Sequence, residues 1–197
     1  MTGNDNAELR HDLARLSPYG LASVALFAFG ALGGGLAIIL SPDTSLHLQD
    51  LLKQFAKIFQ GMPRLQLAAA IFFNNSVKTL LVILLGPLLG LAPVLFLLVN
   101  GAILGAVIPV AVESRGLWTA IMTILPHGIL ELPAIFLGTS IGISLGLHPL
   151  ARLRGKTELT LFSELGHALR IYLSVIIPLL LIAAAVEVFV TPLVAGL

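Results

Sequence analysis

Six polar side chains stand inside stretches otherwise apolar enough to live in a bilayer: Asn74, Asn75, Lys78, Asn100, His127 and Glu131. Asn74 and Lys78 are four residues apart, as are His127 and Glu131, so on helices each pair shares a face. Asn75 stands three residues before Lys78 and flanks the same face. Amides, an ammonium, an imidazole and a carboxylate could bind a solute, pass a proton or ion, or pair with one another. None enters hydrocarbon cheaply without a partner or a water-filled cavity. A central Lys or Asp costs about 2.5–3.5 kcal/mol on insertion scales. Convergence lowers that cost. The sequence therefore predicts that Lys78 meets Glu131. Asn74, Asn75 and Asn100 are expected to meet backbone carbonyls freed near proline and glycine breaks.

Three kinds of chemistry compete for this cluster. A buried amide and ion-pair network can hold spans in register. The same groups can form a midplane site for an ion, proton or small solute. His127 and Glu131 have a spacing that suits a metal, which makes a metal-dependent membrane enzyme the weakest of the three readings; two ligands are too few, so no metal is assigned. No Ser/His/Asp order and no His-Glu-x-x-His run is present, so no catalytic residue is assigned and the chain is read as non-enzymatic, with no cofactor.

The elements that must position these residues follow from composition. The 197 residues are 57% hydrophobic and 11% charged, with mean hydropathy +1.02. A soluble domain is about 25% charged. Residues 16–42 and 79–112 contain no Lys, Arg, Asp or Glu, and one span needs about 20 apolar residues. The chain is therefore expected to be an all-α integral membrane bundle in the cell membrane. Its net charge of +1, without a basic block, argues against nucleic-acid binding. The absence of cysteine removes disulfides and thiolate chemistry.

Five spans are expected, at about 19–40, 66–85, 87–112, 117–147 and 172–191. A tail, 1–18, precedes them, and 192–197 follows. Residues 45–60 carry Leu48, Leu51, Leu52, Phe55 and Phe59 on one helical stripe, which reads as an interfacial helix. A second amphipathic helix is expected at 157–170, starting at Thr157-Glu158. Gly86-Pro87 is a natural break. The fourth segment is too long for an ordinary span, and Pro126, Gly128 and Pro133 are expected to kink or break it. With the N-terminus inside, six Lys/Arg side chains lie inside (Arg10, Arg15, Arg152, Arg154, Lys156, Arg170) and four outside (Lys53, Lys57, Arg64, Arg115), so a cytoplasmic N-terminus is expected.

Gly138, Gly142 and Gly146 form a smooth strip on one helical face, for packing within the monomer or as a homodimer seam. Segments 86–105 and 128–146 also echo one another: Gly, an apolar stretch with Pro, Phe-Leu, then Gly-x-x-x-Gly.

The runs Phe72-Phe73-Asn74-Asn75-Ser76, Gly86 with Gly90, Val99-Asn100-Gly101 with Gly105, and Leu125-Pro126-His127-Gly128-Ile129-Leu130-Glu131-Leu132-Pro133-Ala134-Ile135 resemble the stage II sporulation protein M family. The resemblance covers about residues 20–190. It implies about five spans and no established catalysis. Its motif set falls here on Asn74, Asn75, Asn100, His127, Gly128, Glu131 and Pro133. For the sporulation member the resemblance implies a membrane scaffold for peptidoglycan-degrading partners. Nothing in this chain signals sporulation. Membrane or envelope proteins remain the partners expected, beside the lipid bilayer itself.

Overall fold

The computed structural model describes residues 3–155 and 159–195, without the side chains of 3–12, 42, 55–56, 126–127 and 194–195. Every regular element among them is helical. α1 (Gly3–Leu40) is followed by α2 (Pro42–Phe59), α3 (Arg64–Leu84), α4 (Leu91–Arg115) and α5 (Leu117–Leu153). Then come α6 (Leu161–Ile171), a π-helical turn (Tyr172–Ile176), α7 (Ile177–Phe189) and α8 (Thr191–Ala195). Among the described residues, five helical stretches are long and apolar enough to cross a membrane: Leu13–Leu40, Arg64–Leu84, Leu91–Arg115, Gly128–Leu153 and Leu161–Leu193.

The expected N-terminal tail is instead helical from Gly3. Leu13 and Leu16 pack against the core, so the first apolar stretch starts at Leu13 rather than at residue 19. α6 begins later than expected. Its cap is Thr160, whose hydroxyl accepts from the Ser163 N–H at 3.2 Å. Thr157 and Glu158 lie outside the described residues. Arg15 of α1 pairs with Glu164 of α6 at 3.0 Å, tying the two ends together.

Two segments end where glycine can take a left-handed backbone. Between α3 and α4 the chain turns at 85–90, with Leu89 at φ 56° and Gly90 at φ 70°. Only leucine, glycine and proline occupy this turn, and Leu89 is 82% exposed. Its backbone polar groups bond locally: Gly90 N–H donates to Gly86 C=O at 2.8 Å, and Leu91 N–H to Leu88 C=O at 3.1 Å. An apolar turn beside lipid needs that local satisfaction. Between α4 and α5 the bend falls on Gly116, at φ 81°.

The expected break at Pro126, Gly128 and Pro133 does not occur: α5 is continuous through all three. Proline removes one N–H, but a carbonyl freed within a membrane helix can find another partner. Pro18 and Pro109 also lie inside helices. Gly86-Pro87 does coincide with a break, and there the left-handed pair at 89–90 completes the reversal. At 37 residues, α5 is about 55 Å long. That exceeds the roughly 30 Å hydrocarbon core, so α5 projects beyond it or tilts.

α5 is the central span. Of its apolar window 56% is buried, against 22–28% for the other four. Phe27 of α1 meets Phe136 of α5 edge-on, with ring centroids 5.4 Å apart.

α1 and α4 run in the same direction, backbone against backbone. Cβ atoms added at Gly30 and Gly34 would overlap the carbonyls of Leu98 and Ala102. Reciprocally, Cβ atoms at Gly101 and Gly105 would overlap those of Phe27 and Ala31.

The strip Gly138, Gly142, Gly146 is used inside the chain, which removes it as a homodimer seam. A Cβ at Gly138 would strike the Thr79 methyl. One at Gly142 would stand 2.8 Å from the Val82 carbonyl oxygen and 3.2 Å from the Pro93 ring. Gly146 lies under Gly86 and Gly90. The strip thus seats α3 and the 85–90 turn on α5.

Candidate functional site

α3 turns Ser76, Thr79, Val82 and Ile83 inward. Asn75 stands at the edge of that stripe. Its Nδ2 donates to Glu131 Oε2 of α5 at 2.8 Å. Its side-chain oxygen accepts from Asn74 Nδ2 at 3.0 Å. Its backbone carbonyl accepts from the Thr79 hydroxyl at 2.8 Å. Glu131 is only 7% exposed. The two central motifs of the sequence therefore meet across one helix interface, through Asn75 and Glu131.

The rest of the expected cluster does not converge on that bond. Among the described residues Lys78 forms no ion pair, which corrects the expected Lys78–Glu131 bridge. The reason is helical phase. Asn74 and Lys78 do share a face, but it is the exposed one. The inward side chain four residues from Asn75 is Thr79, not Lys78. The lysine stem is long enough to carry its ammonium toward the headgroups. Asn100 does not reach another span either. Its Nδ2 donates to the Phe96 carbonyl of its own helix at 2.7 Å. The backbone of His127 is helical, and its side chain lies outside the described residues.

Two other polar contacts between spans were not anticipated. Ser23 of α1, Thr139 and Ser140 of α5 form a buried hydroxyl triad. Ser23 Oγ lies 3.1 Å from Thr139 Oγ1 and 3.4 Å from Ser140 Oγ. Thr139 also donates to the Ile135 carbonyl at 2.9 Å, and Ser140 to that of Phe136. The adjacent Thr139-Ser140 pair between Gly138 and Gly142 was the available signal. Hydroxyls, however, can satisfy themselves on their own helix, so type alone does not reveal a cross-span bond. Second, the Tyr172 hydroxyl donates to the Ser76 carbonyl at 3.0 Å, at the π-helical turn.

His148, just beyond the expected end of the fourth span, is buried within the last turns of α5, and among the described residues its Nε2 has no hydrogen-bond partner. Among the described residues, no group of three or more His, Asp and Glu side chains stands together as a metal site requires. What the polar arrangement can do is directional: it ties α5 to α1 and α3, and α3 to the last span.

A family model described as stage II sporulation protein M matches residues 23–192. The chain belongs to that family. No curated protein and no solved structure matches it.

Proposed function

We propose that this family member is a non-enzymatic multi-pass scaffold of the cell membrane, whose polar contacts hold its spans in register while its periphery anchors envelope partners. The Asn75–Glu131 bond at 2.8 Å carries this reading, because it spends a buried carboxylate on joining two spans. The Ser23–Thr139–Ser140 triad supports it at the α1–α5 contact. α2 supplies the anchoring surface. Leu46, Leu51 and Ile58 are exposed on it, beside Lys53 and Lys57. The excess of Lys and Arg, six against four, supports a cytoplasmic N-terminus, with α2 then on the outer side. Purified protein in sealed vesicles tests the reading. No ion or small-solute flux is expected. Flux that disappears in Glu131→Gln would refute the scaffold.

A second reading, a transporter, draws on a cavity of about 170 Å³ lined by Arg15, Tyr19, Ser144, Glu164 and His167. Ser144 is one turn from Ser140, so this polar recess leads toward the hydroxyl triad. A cysteine at Asn75 or Asn100 separates the two readings. Labelling of either by a small hydrophilic thiol reagent supports a water path, and protection of both supports the scaffold.

A further inference from the structure

α2, α4 and the start of α5 enclose a cleft of about 490 Å³. Its walls include Val107 and Val110 of α4 with Ala120 and Ile124 of α5. Lys53 and Arg115 also line it. Lys53 lies 3.4 Å from Asp50, a pair exposed to solvent on both sides, so part of its charge is already answered. Arg115 has no carboxylate partner among the described residues. A shallower groove continues from Lys53 to Lys57 and Phe59.

We propose that this cleft binds an anionic glycerophospholipid, its phosphate at Arg115 and Lys53 and one acyl chain along Val107, Val110 and Ile124. Three observations carry the assignment. The first is depth. Glu113, Ser114 and Arg115 follow directly on the charge-free stretch 79–112, so Arg115 marks the edge of the hydrocarbon. Val107 lies eight positions before Arg115, about 12 Å along the helix, which matches a headgroup-to-chain distance rather than a small anion. The second is polarity. Apolar walls below a basic mouth complement an anionic amphiphile, whose phosphate can accept charge-assisted hydrogen bonds from the two cations. Water fills an apolar recess poorly, whereas a chain restores dispersion contacts to its walls. The third is size, which lies within the usual range for a ligand pocket. The Ser114 hydroxyl is committed to the Val110 carbonyl at 2.7 Å, and that of Thr123 to the Thr119 carbonyl at 2.8 Å, so Lys53 and Arg115, with the Gln49 amide beside them, are the groups left to read the headgroup. The inference stands whether the protein is a scaffold or a transporter.

Trp118, the only tryptophan, lies in the first turn of α5 and is exposed. Its fluorescence is the reporter. The full chain in nonionic micelles is titrated with phosphatidylglycerol or phosphatidylcholine carrying brominated chains, which quench on contact. Brominated phosphatidylglycerol is expected to quench at about fivefold lower mole fraction. Arg115→Gln with Lys53→Gln, both exposed positions, should abolish that preference while leaving quenching by the neutral lipid unchanged. Val107→Phe, which fills the wall, should weaken quenching by both lipids. Inorganic phosphate should not displace the bound lipid. Equal quenching by both lipids in the native chain overturns the proposal. So does a preference that survives the double substitution, or complete displacement by phosphate, which would mark a simple anion site.

Discussion

The α1–α4 and α3–α5 interfaces hold parallel helices together by different means. Between α1 and α4 the contact is backbone on backbone: Gly30 and Gly34 face Leu98 and Ala102, while Gly101 and Gly105 face Phe27 and Ala31. Between α3 and α5, glycine supplies closeness at Gly138 and Gly142, and a polar bond from Asn75 to Glu131 adds direction. Lipid is as apolar as leucine, so neither pair is driven together by hydrophobic burial alone. Steric fit sets how near two helices come. A hydrogen bond with one donor and one acceptor selects the register at that separation. An interface built only from glycines resists enlargement most, and one with a polar bond should show coupling between particular residues.

The largest effect should come from enlarging the glycine contact. Gly105→Leu places a side chain against the Ala31 carbonyl, with no flexible neighbour to yield. Unfolding in mixed detergent micelles should show a loss of about 3 kcal/mol or more. Gly33→Leu is the internal control, since nothing lies within 4 Å of a Cβ there. Its stability should stay within about 0.5 kcal/mol of the native value. Equal losses in both would remove the distinction between glycines inside the α1–α4 contact and a glycine that faces away from it.

A smaller effect is expected at the polar bond. Asn75→Ala should cost about 1–3 kcal/mol, because it withdraws a donor from a buried carboxylate. A double-mutant cycle of Asn75→Ala with Glu131→Ala, which removes the acceptor, should return a coupling of about 0.6–1.7 kcal/mol. Coupling near zero would mean that the bond adds nothing to the glycine-set approach.

The smallest effect belongs to Lys78. Lys78→Met should change stability by no more than about 0.5 kcal/mol. Its cycle with Glu131→Gln should be additive, because the two side chains form no ion pair. Non-additivity would restore the bridge that helical spacing suggests.

Much of the fold was legible because lipid imposes one-dimensional rules. Length, apolarity and missing charge marked five spans, and the amphipathic stripe marked α2. The helix boundaries were less legible. Leu13 and Leu16 pack on the core, so the first apolar stretch starts before residue 19, and Thr160 rather than Thr157 caps α6. Prolines mark breaks in soluble proteins, but at 126 and 133 the chain continues as helix. The candidate site was half legible. The Asn-Asn and His-x-x-x-Glu segments do meet, through Asn75 and Glu131, while Asn74 and Lys78 face outward and Asn100 bonds to its own helix. The Ser23–Thr139–Ser140 triad was hidden among ordinary hydroxyls.

The sequence by itself determined that this chain crosses a bilayer about five times as helices, and that its membrane-depth polar groups need partners. Hydrocarbon leaves no alternative to internal hydrogen bonding. Only the tertiary structure decided which partners they take. That choice depends on the rotational phase and relative height of separate helices. Phase turns Asn75 toward Glu131 and Lys78 away. Height sets Ser23 against Thr139 and Ser140, and seats Gly146 beneath the 85–90 turn.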